Sequence, residues 1–125
     1  MRCTVTGMRT TLTIAAACAA AVLVTGCGES KRESMHDKAI AAGMSEEQFL
    51  ACEDFINGNT TLSPEDAAGK AELARKVNEW AQKSGPDFAD AGDGLARAAS
   101  GPASAWKLAA DTFAGRCLQA GWPSE

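Results

Sequence analysis

The chain has 125 residues, of which 46% are hydrophobic and 22% charged, with a formal charge of −4, a single histidine and five cysteines. That length holds one domain. Its acidic balance argues against nucleic-acid binding and against a basic membrane-binding face. Phosphates attract Lys/Arg clusters, whereas the basic groups beyond residue 26 are no larger than the pairs Lys31-Arg32 and Arg75-Lys76, each flanked by acids.

Residues 1–11 carry Arg2 and Arg9 and no acid, and Leu12 to Val24 follow as thirteen residues of mostly Ala, Leu, Val and Ile. This is the layout of a secretory signal peptide. A spanning helix needs roughly 20 apolar residues to cross about 30 Å of hydrocarbon, and the run stops short at Thr25-Gly26-Cys27-Gly28. A start at Met8 rather than Met1 would leave that layout intact.

Leu23-Val24-Thr25-Gly26-Cys27 resembles the lipobox of bacterial lipoproteins, in which an aliphatic residue, a small residue and Gly precede the Cys. The resemblance covers the first quarter of the chain. It implies that a diacylglycerol joins the Cys27 sulfur, that cleavage before Cys27 removes residues 1–26, and that an N-acyl chain can follow. Thr25 and Gly26 are small enough to admit a protease to the backbone, and a thiolate at Cys27 is the nucleophile that accepts lipid. Each buried CH₂ contributes roughly 0.8 kcal/mol, so two or three acyl chains anchor stably where one holds reversibly. Gly28 stands where some lipoproteins carry an Asp that retains them on an inner membrane. The Ala- and Gly-rich composition is similar to that of GC-rich actinobacteria, which implies the outer face of a single plasma membrane, or an outer membrane if the source has two.

Cleavage would leave 99 residues with 10 basic against 16 acidic side chains, a formal charge of −6. Residues 27–33 then read as lipidated Cys and polar tether, and 34–125 as a helical domain. Ser34 followed by Asp37, with Met35, Ala39 and Ala42 at helical spacing, predicts a short first helix closed by Gly43. Ser45-Glu46-Glu47-Gln48 is a capping box that opens a second helix with Phe49, Cys52, Phe55 and Ile56 on one face. Ser63-Pro64-Glu65-Asp66 predicts the start of a third helix of about twenty residues, Ser63 as N-cap and Pro64 at the first helical position. Its apolar stripe runs through Ala67, Ala71 or Lys70, Leu73, Ala74, Val77, Trp80 and Ala81, with the charged residues Lys70, Arg75, Lys76, Glu79 and Lys83 mostly outside it.

Gly85-Pro86 ends that helix, and Phe88, Ala91, Leu95, Ala98 and Ala99 trace a weaker one. Gly92 and Gly94 each cost about 1 kcal/mol relative to Ala, so a kinked or frayed segment is expected. After Ser100-Gly101-Pro102, a last helical face runs through Trp106, Ala109, Ala110, Phe113, Cys117 and Ala120 and stops at Gly121. Alternating β-branched runs are missing beyond residue 26, so the domain is expected to be all-α, a bundle of four or five helices.

Cys3 and Cys18 lie in the signal segment and lipid takes Cys27, which leaves Cys52 and Cys117. Outside the cytosol an isolated pair normally oxidises, and both sit on apolar helix faces, so a structural disulfide is expected. Redox or metal roles lack the necessary neighbours: there is no Cys-x-x-Cys, and His36 is remote in sequence. Asp87, Asp90 and Asp93 invite a calcium reading, but the twelfth position of such a loop is Ala98 rather than a Glu. Trp122, beyond the last helix, either packs back on the domain or meets a partner. The residues thus point to a non-enzymatic protein-interaction module in the cell envelope, with no metal and no cofactor beyond the lipid on Cys27. Its expected partners are membrane lipid through the anchor and another envelope protein. A small-ligand or lipid carrier with an apolar pocket between helices is the alternative.

Overall fold

Lys31, Arg32 and Glu33 are good helix formers with no glycine or proline among them. In the computed structural model, which describes residues 30–124, the chain is already helical at residue 30 and stays so to residue 41 (α1). The helix therefore runs through Ser34 rather than starting at it, and the last residues of the expected tether belong to it. The expected signal segment, lipobox and lipid-bearing Cys27 lie outside the described residues. The chain divides into two compact units after Asp37, and of the first unit only the helical residues 30–37 are described.

Residues 38–124 form the second unit. Gly43, at φ 103°, ends α1: the Met44 N–H donates to Ala39 O at 3.1 Å and the Gly43 N–H to Ile40 O at 3.0 Å. This pair of bonds satisfies carbonyls that the helix end leaves open. The capping box at Ser45 then opens α2, Glu46–Asn59, with the Gln48 N–H on Ser45 Oγ at 3.1 Å and the Ser45 N–H on Gln48 Oε1 at 3.0 Å.

Helix α3 spans Ala67–Ala81, shorter than expected, and its N-cap is Asp66, whose carboxylate accepts from the Gly69 N–H at 2.9 Å. Ser63 and Pro64 instead build the preceding turn. The Ser63 hydroxyl donates to Glu65 Oε2 at 2.9 Å, so it is engaged by a side chain rather than by helix amides, while the Asp66 N–H bonds Ser63 O. A full negative charge at Asp66 also complements the helix dipole. Helix α4, Pro86–Ala98, begins with Pro86 in its first turn, and α5 covers Ala103–Ala120.

Helix α4 is unbroken through Gly92 and Gly94, so the expected fraying is not found there. Gly92 is buried, and a Cβ there would collide with Asn78 Oδ1 and come within 2.8 Å of the Ala81 methyl, so its bare backbone lets α4 lie close on α3. Gly94 meets nothing within 4 Å. The two glycines should separate in a thermal melt. Gly92→Ala is expected to destabilise by about 1–3 kcal/mol through overpacking, and Gly94→Ala to stabilise by about 0.5–1 kcal/mol; equal shifts would contradict this packing.

The helices pack α2 on α3, α3 on α4, α4 on α5, and α5 back on α2. Phe49, Cys52, Phe55, Leu73, Val77, Phe88, Leu95, Trp106, Phe113 and Cys117 make the core. Phe113 is its aromatic centre, 4.9 Å from the Phe55 ring and 5.8 Å, edge-on, from Phe88. Trp80, also expected in the core, is half-buried at its margin with the Lys83 ammonium 5.1 Å from its centroid. Among the described residues the architecture is an all-α five-helix bundle with the Cys52–Cys117 disulfide. Among the described residues, no helix is long and apolar enough to cross a membrane.

Candidate functional site

The Cys52 and Cys117 side chains point from the apolar faces of α2 and α5 into the core. They are fully buried and bonded to each other, with Cα atoms 5.8 Å apart. The α2–α5 interface is the slightest of the four main helix interfaces. The bond therefore closes the bundle where packing does least.

Trp122 follows the turn that ends α5. Gly121, at φ 120°, brings the Trp122 N–H onto Cys117 O at 2.9 Å, and its own N–H bonds Leu118 O. A Cβ at Gly121 would meet the Ala42 methyl at 2.8 Å, so this turn sits tightly on the end of α1. The indole is half-buried and stacks on Phe49 at 5.3 Å with 25° between the planes. A hydrophobic residue two places beyond a helix, after Gly, commonly packs back in this way, a signal readable in Cys117 to Trp122.

Lys70 is buried at 3% exposure while Ala71 is exposed, so of the two candidates for this stripe position the lysine takes it, although its charge grouped it with the residues mostly outside. It precedes Leu73, Ala74, Val77 and Ala81 at helical spacing, and its Nζ donates to Gly101 O at 3.1 Å, tying α3 to the α4–α5 turn. Its long alkyl stem can cover apolar surface while the ammonium reaches a carbonyl. Lys70→Ala is expected to cost about 2 kcal/mol, because a charge-assisted hydrogen bond is lost; chemical denaturation measures it, and an unchanged midpoint would remove Lys70 from the stabilising contacts.

Of the groups weighed for catalysis or metal binding, His36 has Nδ1 3.7 Å from the neighbouring Asp37 carboxylate. Asp93 Oδ1 accepts from Gln82 Nε2 at 3.0 Å and Asn78 Nδ2 at 3.4 Å, which spends it on the α3–α4 contact. Among the described residues, no three His, Cys, Asp or Glu side chains gather as metal ligands do. On the exposed side of α3, Arg75 grips Glu72 at 2.8 Å. The hydrogen bond from Arg75, followed by its charge, holds the Glu72 carboxyl below its ordinary range. The stability this adds is present at neutral pH and lost as the pH falls through that depressed value.

An open groove of about 500 Å³ lies between α4 and α5. Ala91, Gly94, Ala98, Ala105 and Ala109 line it. Leu108, 71% exposed, stands on its edge, with Arg97 and Arg116 also lining it. The Arg116 guanidinium donates to Gln119 Oε1 at 3.2 Å. Small residues on facing sides of α4 and α5 leave the hollow, which the apolar stripe of either helix alone does not reveal.

No family model matches the sequence, and no curated protein or solved structure matches it. The functional reading rests on the chain's own residues.

Proposed function

We propose that this protein is a bacterial lipoprotein, held by acyl chains on Cys27 to the outer face of the plasma membrane, whose acidic helical domain docks another envelope protein without catalysing a reaction. The observation that carries the reading is the buried Cys52–Cys117 bond. Disulfides form and persist in oxidising compartments and are rare in the cytosol, which agrees with the lipobox at Leu23 to Cys27 while standing independently of it. The docking half rests on the acidic balance and on the exposed surface of a small helical scaffold.

Replacement of the acyl-bearing thiol tests the address. With Cys27→Ser the protein is expected to leave the membrane fraction, where wild type stays under high salt; retention of the variant would overturn the anchor. Carboxyl-to-amine crosslinking in intact envelopes tests the docking half. One partner protein should be recovered reproducibly, in smaller yield as salt screens the acidic surface, and the absence of a reproducible partner would overturn it. A carrier role is favoured by one observation: the α4–α5 groove has a volume within the range of small-molecule sites. Native mass spectrometry of the detergent-extracted protein would show a co-purified small mass in that case.

A further inference from the structure

Helix α4 carries an outward pattern that no contact inside the domain accounts for. Asp90, Gly94 and Arg97 all line the α4–α5 groove. Among the described residues, the side chains of Asp90 and Arg97 make no hydrogen bond or ion pair. Gly94 is a poor helix former in mid-helix, and unlike Gly92 it admits no neighbour: a Cβ there would stand in open space.

Helix geometry relates the three. At about 1.5 Å and 100° per residue, Asp90 lies roughly 6 Å before Gly94 and Arg97 roughly 4.5 Å after it. Both turn to the same side of Gly94, by about 40° and 60°, while Ala91 and Ala98 turn to the other. A two-fold axis at Gly94 therefore brings Asp90 of one copy level with Arg97 of another, on the same side, and does so twice. Such self-complementarity is what an isologous interface requires.

We propose that a second copy of this chain docks on this face, α4 running antiparallel on α4, with glycine against glycine at the axis and an Asp90–Arg97 ion pair on either side. The half-buried Ala98 is small enough to let the backbones approach, and Leu108 supplies exposed apolar surface that the second copy covers. Charge selects this occupant. Along α4 the groove presents one acid and one base, so a uniformly acidic or basic helix laid on it would meet one like charge, whereas an antiparallel copy of α4 neutralises both; Arg116 of α5, which also lines the groove and holds Gln119 Oε1, stands outside this pairing. The proposal rests on the described residues alone and does not need the lipid anchor. Confinement to a membrane plane would raise the local concentration of copies without altering the contact.

Covalent trapping tests it in the full chain within its native envelope. Gly94→Cys places a thiol in open space, and the proposed docking would bring the two Cα atoms at the axis within disulfide reach. Mild oxidation followed by non-reducing electrophoresis should give roughly tenfold more covalent dimer than Ala71→Cys, an exposed α3 position outside the groove. Adding Asp90→Lys to the Gly94→Cys chain sets like charges opposite each other twice and should lower trapping about tenfold. Adding Arg97→Glu as well re-forms both pairs in swapped sense and should restore it. Equal trapping at 94 and 71, indifference to the charge reversal, failure of the swap to restore, or an adduct with a different protein would each overturn the proposal.

Discussion

A chain with Cys52 and Cys117 both changed to alanine is expected to melt about 20 °C below the oxidised protein. The bond spans a separation of 65 residues, and closing a loop of that length removes about 4 kcal/mol of chain entropy from the unfolded state. For a domain of this size, each kcal/mol shifts the melting temperature by about 4–8 °C. Total stability in such domains is only about 5–15 kcal/mol, so the loss is a large share of it. Both sulfurs are fully buried, and alanine leaves a small void in the core that adds to the effect. Calorimetry of oxidised wild type, reduced wild type and the double variant measures it. A melting point within a few degrees of the oxidised protein would show that packing alone closes α2 onto α5.

Trp106→Ala is expected to cost about 3–5 kcal/mol. Trp106 is the largest of the fully buried side chains, at 1% exposure, and the cavity left by such a truncation is added to the lost transfer of the ring from water. Its indole N–H also donates to Asn59 Oδ1 at 3.3 Å, which links α5 to the last residue of α2. Trp106→Phe keeps most of the apolar volume and breaks only that bond, so it should cost about 1–2 kcal/mol. Urea unfolding of the two variants separates ring from N–H. Equal losses would mean that the hydrogen bond, and not the buried area, holds this corner.

Much of the fold is legible residue by residue because it depends on interactions within a turn of helix. The capping box at Ser45 and Gln48, the break at Gly85-Pro86 and the apolar spacing of Trp106, Ala110, Phe113 and Cys117 are all local. The disulfide partners are legible for another reason: once Cys3, Cys18 and Cys27 are assigned to the expected signal segment and lipobox, only two of the five cysteines remain. The start of α3 is ambiguous in sequence because Ser63 and Asp66 are both competent caps three residues apart. The choice falls to the turn that Ser63 makes with Glu65.

By itself, then, the sequence determined an all-α chain, the approximate span of each helix and the pair of cysteines that bond. Tertiary structure alone decided that Gly92 serves a close helix contact while Gly94 faces open space, that Lys70 turns inward to the Gly101 carbonyl, and that small residues from α4 and α5 together leave a groove. The physical reason is distance along the chain. Helix formation depends on residues three or four apart, whereas the space beside a glycine, or the carbonyl within reach of an ammonium 31 residues away, exists only once helices have packed.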